Sequence, residues 1–288
     1  MIDLALRRQL FAEDIQVCCN LRTPALVEAL ATVARERFLR PGPWLIQGEG
    51  DVGRGPRPTM DDDPRHVYHN LSIAIDPARQ LFNGAPGVIA SAIDALALQP
   101  GDRVLHLGCG LGYYSALMAH AVGASGRVVA CDVDEALAAE AASNLSSLSH
   151  VTVRQDNGAA PLDETFDAIL VNAGVTHPLD SWLDALSPAG RLVLPLTVAM
   201  PPMGPIGKGP VVLMARQADG TFSARTITFI AIYSAIGIRD DSLNDALGQA
   251  MRRMPFPSLT RLRREPHEAD ASCWYHATAV CCLSTSTS

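Results

Sequence analysis

From Pro86 to Leu194 the chain alternates helical stretches with short apolar strands, and no other feature constrains the fold as strongly. Runs at 103–107, 127–131, 151–155, 166–171 and 190–194 read as strands. Apolar positions at helical spacing mark helices at 86–97, 112–122, 134–147 and 178–186. That alternation specifies an α/β fold, a mostly parallel sheet covered by helices.

The flanks read differently. Residues 2–19 and 24–38 carry apolar positions at helical spacing, with Thr23-Pro24 as cap and first-turn proline of the second helix. From Gln47 to Arg65 the chain is dense in Gly, Pro and Asp and predicts a long loop. A second such stretch at 198–210 leads to an antiparallel hairpin at 211–217 and 224–233. A helix at 241–253, a strand at 273–283 and a frayed STSTS tail complete the reading. The expected organisation is an N-terminal helical and loop region on the acceptor side (1–82), a Rossmann-like ligand-binding domain (83–235) and a C-terminal extension (236–288).

Composition sets limits on function. Hydrophobic residues make up 48% and charged residues 18%, as in globular proteins, and a formal charge of −7 disfavours nucleic acid as a partner. The N-terminus has Asp3 and no uninterrupted apolar run, so no secretory signal, spanning segment or membrane partner is expected, and the predicted compartment is the cytoplasm. Seven cysteines, at 18, 19, 109, 131, 273, 281 and 282, form no CxxC pair, have no nearby His in ligand spacing and read as small buried hydrophobes rather than as a disulfide framework or zinc site. His66 and His69 beside Asp61-Asp62-Asp63-Pro64 read as part of a solvated loop. No metal is expected.

The first strand of the alternation runs into Gly108-Cys109-Gly110-Leu111-Gly112 and then a helix. Glycines let a backbone turn tightly and let a ligand lie against free N–H groups at a helix N-terminus. Dinucleotide folds prefer GxGxxG; GxGxG favours S-adenosylmethionine. Asp132 ends the next strand about twenty residues further on, where a carboxylate can accept both ribose hydroxyls; as an alternative, it caps the following helix. Asp156, with Asn157 after it, follows the strand at 151–155 in reach of an adenine amino group, or forms a turn. Tyr113 and Tyr114 follow the glycines, one ring facing the cofactor and the other packing inward.

Several segments in register resemble the protein-L-isoaspartate O-methyltransferases over roughly 33–232: VARERFLRP, NGAPGVIASAIDAL, PGDRVLHLGCGLGYYSA, FDAILVNAG, WLDALSPAGRLVLPL and TFIAIY. The resemblance implies methyl transfer from S-adenosylmethionine to a carboxylate, an L-isoaspartyl residue of a protein or peptide. His106, Gly108, Gly110, Gly112, Tyr113, Asp132, Asp156, Asn157 and Asn172 are its implied cofactor residues. Asn83 and Gly84 occupy the acceptor loop, where the family has serine at the place of Gly84. At His106 the family usually has an acidic residue near the cofactor amino group, and His106 is either a ligand contact or a structural histidine at a strand end. Asn83 supplies an amide to the acceptor or caps the helix that follows. These departures leave two alternatives: a different peptide or small-metabolite carboxylate as acceptor, or a non-catalytic cofactor-binding or interaction protein. The oligomeric state is open.

Overall fold

A computed structural model describes residues 3–48, 51, 54–199, 204–278 and 281–285. Two helices, α1 (Leu4–Cys19) and α2 (Pro24–Thr32), precede four short strands, β1 (Leu45–Gln47), β2 (Arg57–Pro58), β3 (Ser72–Asp76) and β4 (Leu81–Phe82). The alternation follows as α3 (Pro86–Ala95), β5 (Arg103–Leu107), α4 (Tyr113–Val122), β6 (Arg127–Asp132), α5 (Glu135–Asn144) and β7 (Val151–Gln155). Next come β8 (Phe166–Val171), α6 (Asp180–Asp184), β9 (Leu186–Pro195), β10 (Val198–Ala199), β11 (Ile206–Arg216) and β12 (Phe222–Tyr233). The chain closes with α7 (Asn244–Arg253), β13 (Arg261–Arg263), β14 (Cys273–Thr278) and β15 (Cys281–Ser284). Neither compact unit is continuous in sequence: the first is Met1–Asp102 with Cys109–Gln155, the second Arg103–Gly108 with Asp156–Ser288.

In the first unit, α1 buries Phe11, Ala12 and Ile15, and α2 buries Leu26, Ala29 and Leu30. The helix expected over 24–38 stops at Thr32, because Val33 is extended, and residues 35–38 form a single 3-10 turn. That break carries Arg35 into the interior, where its guanidinium donates to the carbonyls of Val67 (2.7 Å), His69 (3.2 Å) and Leu71 (2.9 Å). Sequence periodicity does not register an arginine that satisfies buried carbonyls. Within the predicted loop, β2 pairs with β1, so the expected helix-and-loop region also holds a four-stranded antiparallel sheet of order β2-β1-β3-β4. Residues 49–50 and 52–53 of that loop lie outside the described residues. Strands β6 and β7 pair in parallel from Val128↔Val151 to Asp132↔Gln155.

In the second unit, β5, β8 and β9 are parallel neighbours, and β11, β12, β13, β15 and β14 continue from β9 as antiparallel strands. Residues 104–107 of β5 and 168–171 of β8 are all buried, as a parallel strand covered on both faces requires. The expected mixture of parallel strands followed by an antiparallel hairpin is present, and three further antiparallel strands from the C-terminal extension follow the hairpin. The helix expected at 178–186 shortens to α6, because Leu186 already pairs with Phe166 in β9. The hairpin begins at Ile206 rather than 211: Gly207 and Gly209, read as loop, pair with Ile232 and Ile230. A Cβ on Gly209 would lie 1.8 Å from the Leu196 carbonyl oxygen, so this glycine marks a close backbone approach inside a strand. Residues 200–203 of the predicted loop lie outside the described residues. The strand expected over 273–283 is two strands that pair antiparallel, with 279–280 outside the described residues; 286–288 of the tail are likewise outside. Among the described residues no helix is long and apolar enough to cross a membrane.

Candidate active site

The glycine turn has the backbone its sequence calls for. Gly108, Gly110 and Gly112 have φ of +78°, +55° and +94°, in the left-handed region that a side chain disfavours. Gly112 is the N-cap of α4, and a Cβ there would lie 2.8 Å from Leu145 Cδ1. Within the first unit, Asp132 closes this turn: its Oδ2 accepts the Gly110 N–H at 2.8 Å and its Oδ1 the Asp134 N–H at 3.1 Å. The helix-cap alternative for Asp132 is corrected, since the N-cap of α5 is Asp134, which accepts from Ala136 and Leu137. Asp134 is in turn bonded by Arg79, whose guanidinium holds its carboxyl below the usual range. Asp132 is only 7% exposed, and burial pushes its carboxyl upward against the pull of the two N–H donors. Each oxygen keeps a second acceptor direction, so a ribose diol can be bonded without breaking the turn.

Both tyrosine rings pack inward, and the two differ in what their hydroxyls meet. Tyr114 donates its hydroxyl to the Gly84 carbonyl at 3.0 Å and is thereby committed to the protein. Tyr113 packs between Phe38 and Tyr114 with the Arg35 guanidinium 5.7 Å from its ring centroid, and its buried hydroxyl has no partner among the described residues. A buried hydroxyl without a partner costs free energy unless a ligand supplies one.

Asn83 is not the cap of α3; that place is taken by Ala85, which makes no side-chain bond. Its Oδ1 accepts the Ile73 N–H at 2.9 Å while its own N–H donates to the Ile73 carbonyl at 2.9 Å, a two-point clamp onto β3. The amide oxygen is thus spent inside the fold, and what Asn83 can offer an acceptor is its NH2. Gly84 has φ +77°, and a Cβ there would lie 3.0 Å from Ile89 Cγ1. A serine at this place would carry its side chain at a backbone angle that L residues disfavour.

The second unit carries the remaining residues. His106 is fully buried in β5, and burial lowers its imidazole to a pKa of about 3, so it is neutral. Asn172 follows β8 and donates its N–H to the Leu107 carbonyl at 2.8 Å; its carbonyl would meet a Cβ on Gly108 at 3.2 Å. Asp156 and Asn157 both form turns, their Oδ1 atoms accepting from Gly158 (2.8 Å) and Ala159 (3.0 Å). Elsewhere, His66 is bonded to Asp61 and His69 to Arg7.

The model of the protein-L-isoaspartate(D-aspartate) O-methyltransferases matches residues 57–231, more than half of the chain. The chain belongs to this family. A protein-L-isoaspartate O-methyltransferase of Methylorubrum extorquens is 31% identical, over 83% of this chain and 93% of that one. Another, from Rhodopseudomonas palustris, is 33% identical over 67% and 69%. Two solved methyltransferases of this family share the fold. One has a TM-score of 0.64 at 17% identity and covers 97% of this chain and 88% of its own. The other, from Plasmodium falciparum and solved in complex with S-adenosyl-L-homocysteine, has a TM-score of 0.59 at 16% identity, covering 79% and 97%.

The family match ends before the C-terminal extension, and there sequence reasoning missed a constellation. His267, Cys273, His276 and Cys282 place one nitrogen or sulfur each within 4.8 Å of one another. The expectation that no histidine accompanies the cysteines in ligand spacing is corrected: Cys273-Trp274-Tyr275-His276 is a C-x-x-H segment. Cys282 joins it only because β15 folds back on β14.

Proposed function

We propose that this chain is an S-adenosylmethionine-dependent O-methyltransferase that esterifies a carboxylate, most naturally that of an L-isoaspartyl residue in a protein or peptide. The observation that carries the reading is the GxGxG turn locked by Asp132 in a chain of this family. In the first unit, Gly110, Gly112 and Asp132 would hold the cofactor, Asp132 through the ribose hydroxyls, and Tyr113 supplies an uncommitted hydroxyl. His106, Gly108, Asp156, Asn157 and Asn172 are assigned to the same cofactor as proposals, each testable by its own substitution. When bound, S-adenosylmethionine supplies an electrophilic methyl group on a sulfonium. The acceptor carboxyl, with a pKa of about 4, is already ionised at neutral pH, so the protein needs no general base. Its task is to align the carboxylate and exclude water. Asn83 and Gly84 form the loop proposed to position the acceptor.

One observation favours a second reading. At the positive φ of Gly84 a serine side chain would be strained and would press on Ile89, so the loop offers no hydroxyl there, which suits a different peptide or small-metabolite carboxylate. Radiolabelled methyl transfer to an isoaspartyl peptide and to its aspartyl counterpart separates the two. Base-labile label on the isoaspartyl peptide alone is the expected result, and label on neither, despite cofactor binding by calorimetry, would overturn the first reading. Replacement of Asp132 by Ala is expected to abolish cofactor binding in the same calorimeter; normal affinity would refute the assignment of Asp132.

A further inference from the structure

We propose that His267, Cys273, His276 and Cys282 bind one zinc ion that staples the C-terminal extension. Strand pairing builds the site. In the β14–β15 hairpin His276 lies opposite Cys282, and Cys273 lies opposite Ser284. Cys282 and Ser284, two residues apart, share a face of β15. Cys273 and His276 are three apart and would point to opposite faces of a regular strand, but the register shift between Cys273 and Tyr275 returns them to one face. That irregularity brings three ligands together on one face of the hairpin. The fourth, His267, comes from the segment between β13 and β14.

The surrounding groups orient these ligands as a metal site requires. His267 Nδ1 lies 2.8 Å from the Glu265 carbonyl, which can only accept, so Nδ1 carries the proton and Nε2 is left bare. That Nε2 is 3.7 Å from Cys273 Sγ. The Asp270 N–H donates to Cys273 Sγ at 3.4 Å, a bond a thiolate keeps, while the thiol's own contact with Asp270 Oδ1 at 3.6 Å is given up when metal binding releases the proton. Ser284 Oγ lies 3.8 Å from Cys282 Sγ. His276 Nδ1 is buried and has no partner among the described residues. The two imidazole rings meet edge to face with centroids 4.8 Å apart, and both cysteines are buried.

The donor set selects the ion. Two sulfurs and two imidazoles suit a tetrahedral divalent ion, zinc before magnesium or calcium. Zn–N and Zn–S bonds of about 2.0 and 2.3 Å place ligand atoms about 3.3–3.8 Å apart, so separations within 4.8 Å need only a small contraction. On binding, both thiols release their protons to solvent, and Zn2+ with two thiolates and two neutral imidazoles has no net charge. Four protein ligands leave no open position, which makes the site structural. It would fasten β14, β15 and the 264–272 segment to one another.

The full-length chain, without a histidine tag and purified under reducing conditions, is assayed for metal, and its apo form is titrated with Co2+. About one zinc per chain is expected, together with the intense visible bands and sulfur charge transfer of tetrahedral cobalt. Cys282→Ser and His276→Gln should reduce zinc below about 0.1 per chain, while Cys18→Ser leaves it unchanged. Should the site variants fail to fold, the wild-type cobalt spectrum still decides. The proposal is overturned if zinc added in excess washes away and cobalt stays octahedral, or if Cys273 and Cys282 are joined as a disulfide in the reduced preparation.

Discussion

The Tyr114 hydroxyl donates to the Gly84 carbonyl at 3.0 Å. Tyr114 stands in the first turn of α4, immediately after the glycine turn, and Gly84 lies in the loop proposed to position the acceptor, so one hydrogen bond ties that loop to the helix that follows the glycine turn. Replacing Tyr114 by Phe keeps the ring packing against Tyr113 and removes only that bond. The expected loss is about 1 kcal/mol of stability, read as a lower urea midpoint. In steady-state kinetics the acceptor KM should rise several-fold while cofactor affinity by calorimetry stays unchanged. A cofactor affinity that falls with it would show that the bond does not act on the acceptor loop alone.

Gly84→Ser tests whether the absent serine can simply be restored. At φ +77° an L side chain costs about 1–2 kcal/mol, and the new Cβ would press on Ile89 at 3.0 Å. The variant should therefore melt several degrees lower and gain no isoaspartyl turnover. A stable variant with faster turnover would mean that the loop relaxes to admit the hydroxyl.

How much of this was legible in the sequence depended on whether the cause was local. The runs at 103–107 and 166–171 coincide with β5 and β8, because buried parallel strands are short, rich in apolar residues and bounded by turn residues, and the half-buried β7 at 151–155 shows through its alternating Val151 and Val153. The glycine turn and Asp132 were legible for a similar reason: positive φ and a carboxylate at a strand end are written in residue type. Arg35 was not, since its role is to satisfy three carbonyls from 67–71, more than thirty positions away. Asn83 was misread as a possible cap because its true partner, Ile73, lies ten residues back in β3. The His267–Cys282 cluster needed the hairpin and its register shift, neither of which has a signature in the C-x-x-H segment itself.

Asp132 is satisfied by two N–H donors on different oxygens. In Asp132→Asn one oxygen becomes an NH2 that faces Gly110 N–H or Asp134 N–H, donor against donor. Loss of that bond, and of an acceptor for the ribose, predicts at least a tenfold fall in S-adenosylmethionine affinity, about 1.4 kcal/mol or more. Isothermal titration reads it directly, and wild-type affinity in the variant would remove the ribose assignment.

His106 sets a pH signature for the fold. In the unfolded chain its imidazole titrates near 6.5, and burial lowers it to about 3 in the folded protein. A histidine whose folded pKa is depressed contributes stability that is present above pH 6.5 and is lost as pH falls from there towards 3, because the unfolded chain takes up the proton first. At pH 5 that loss amounts to about 2 kcal/mol, from roughly 1.5 pH units at 1.36 kcal/mol each. Urea titrations at pH 7 and pH 5 should accordingly show a smaller acid-induced loss in His106→Leu than in the wild type, by about that amount. His69 and His177, also lowered by burial, are present in both proteins and cancel in the comparison. Equal losses in the two proteins would mean that His106 takes up a proton inside the fold, and its neutral role in β5 would have to be abandoned.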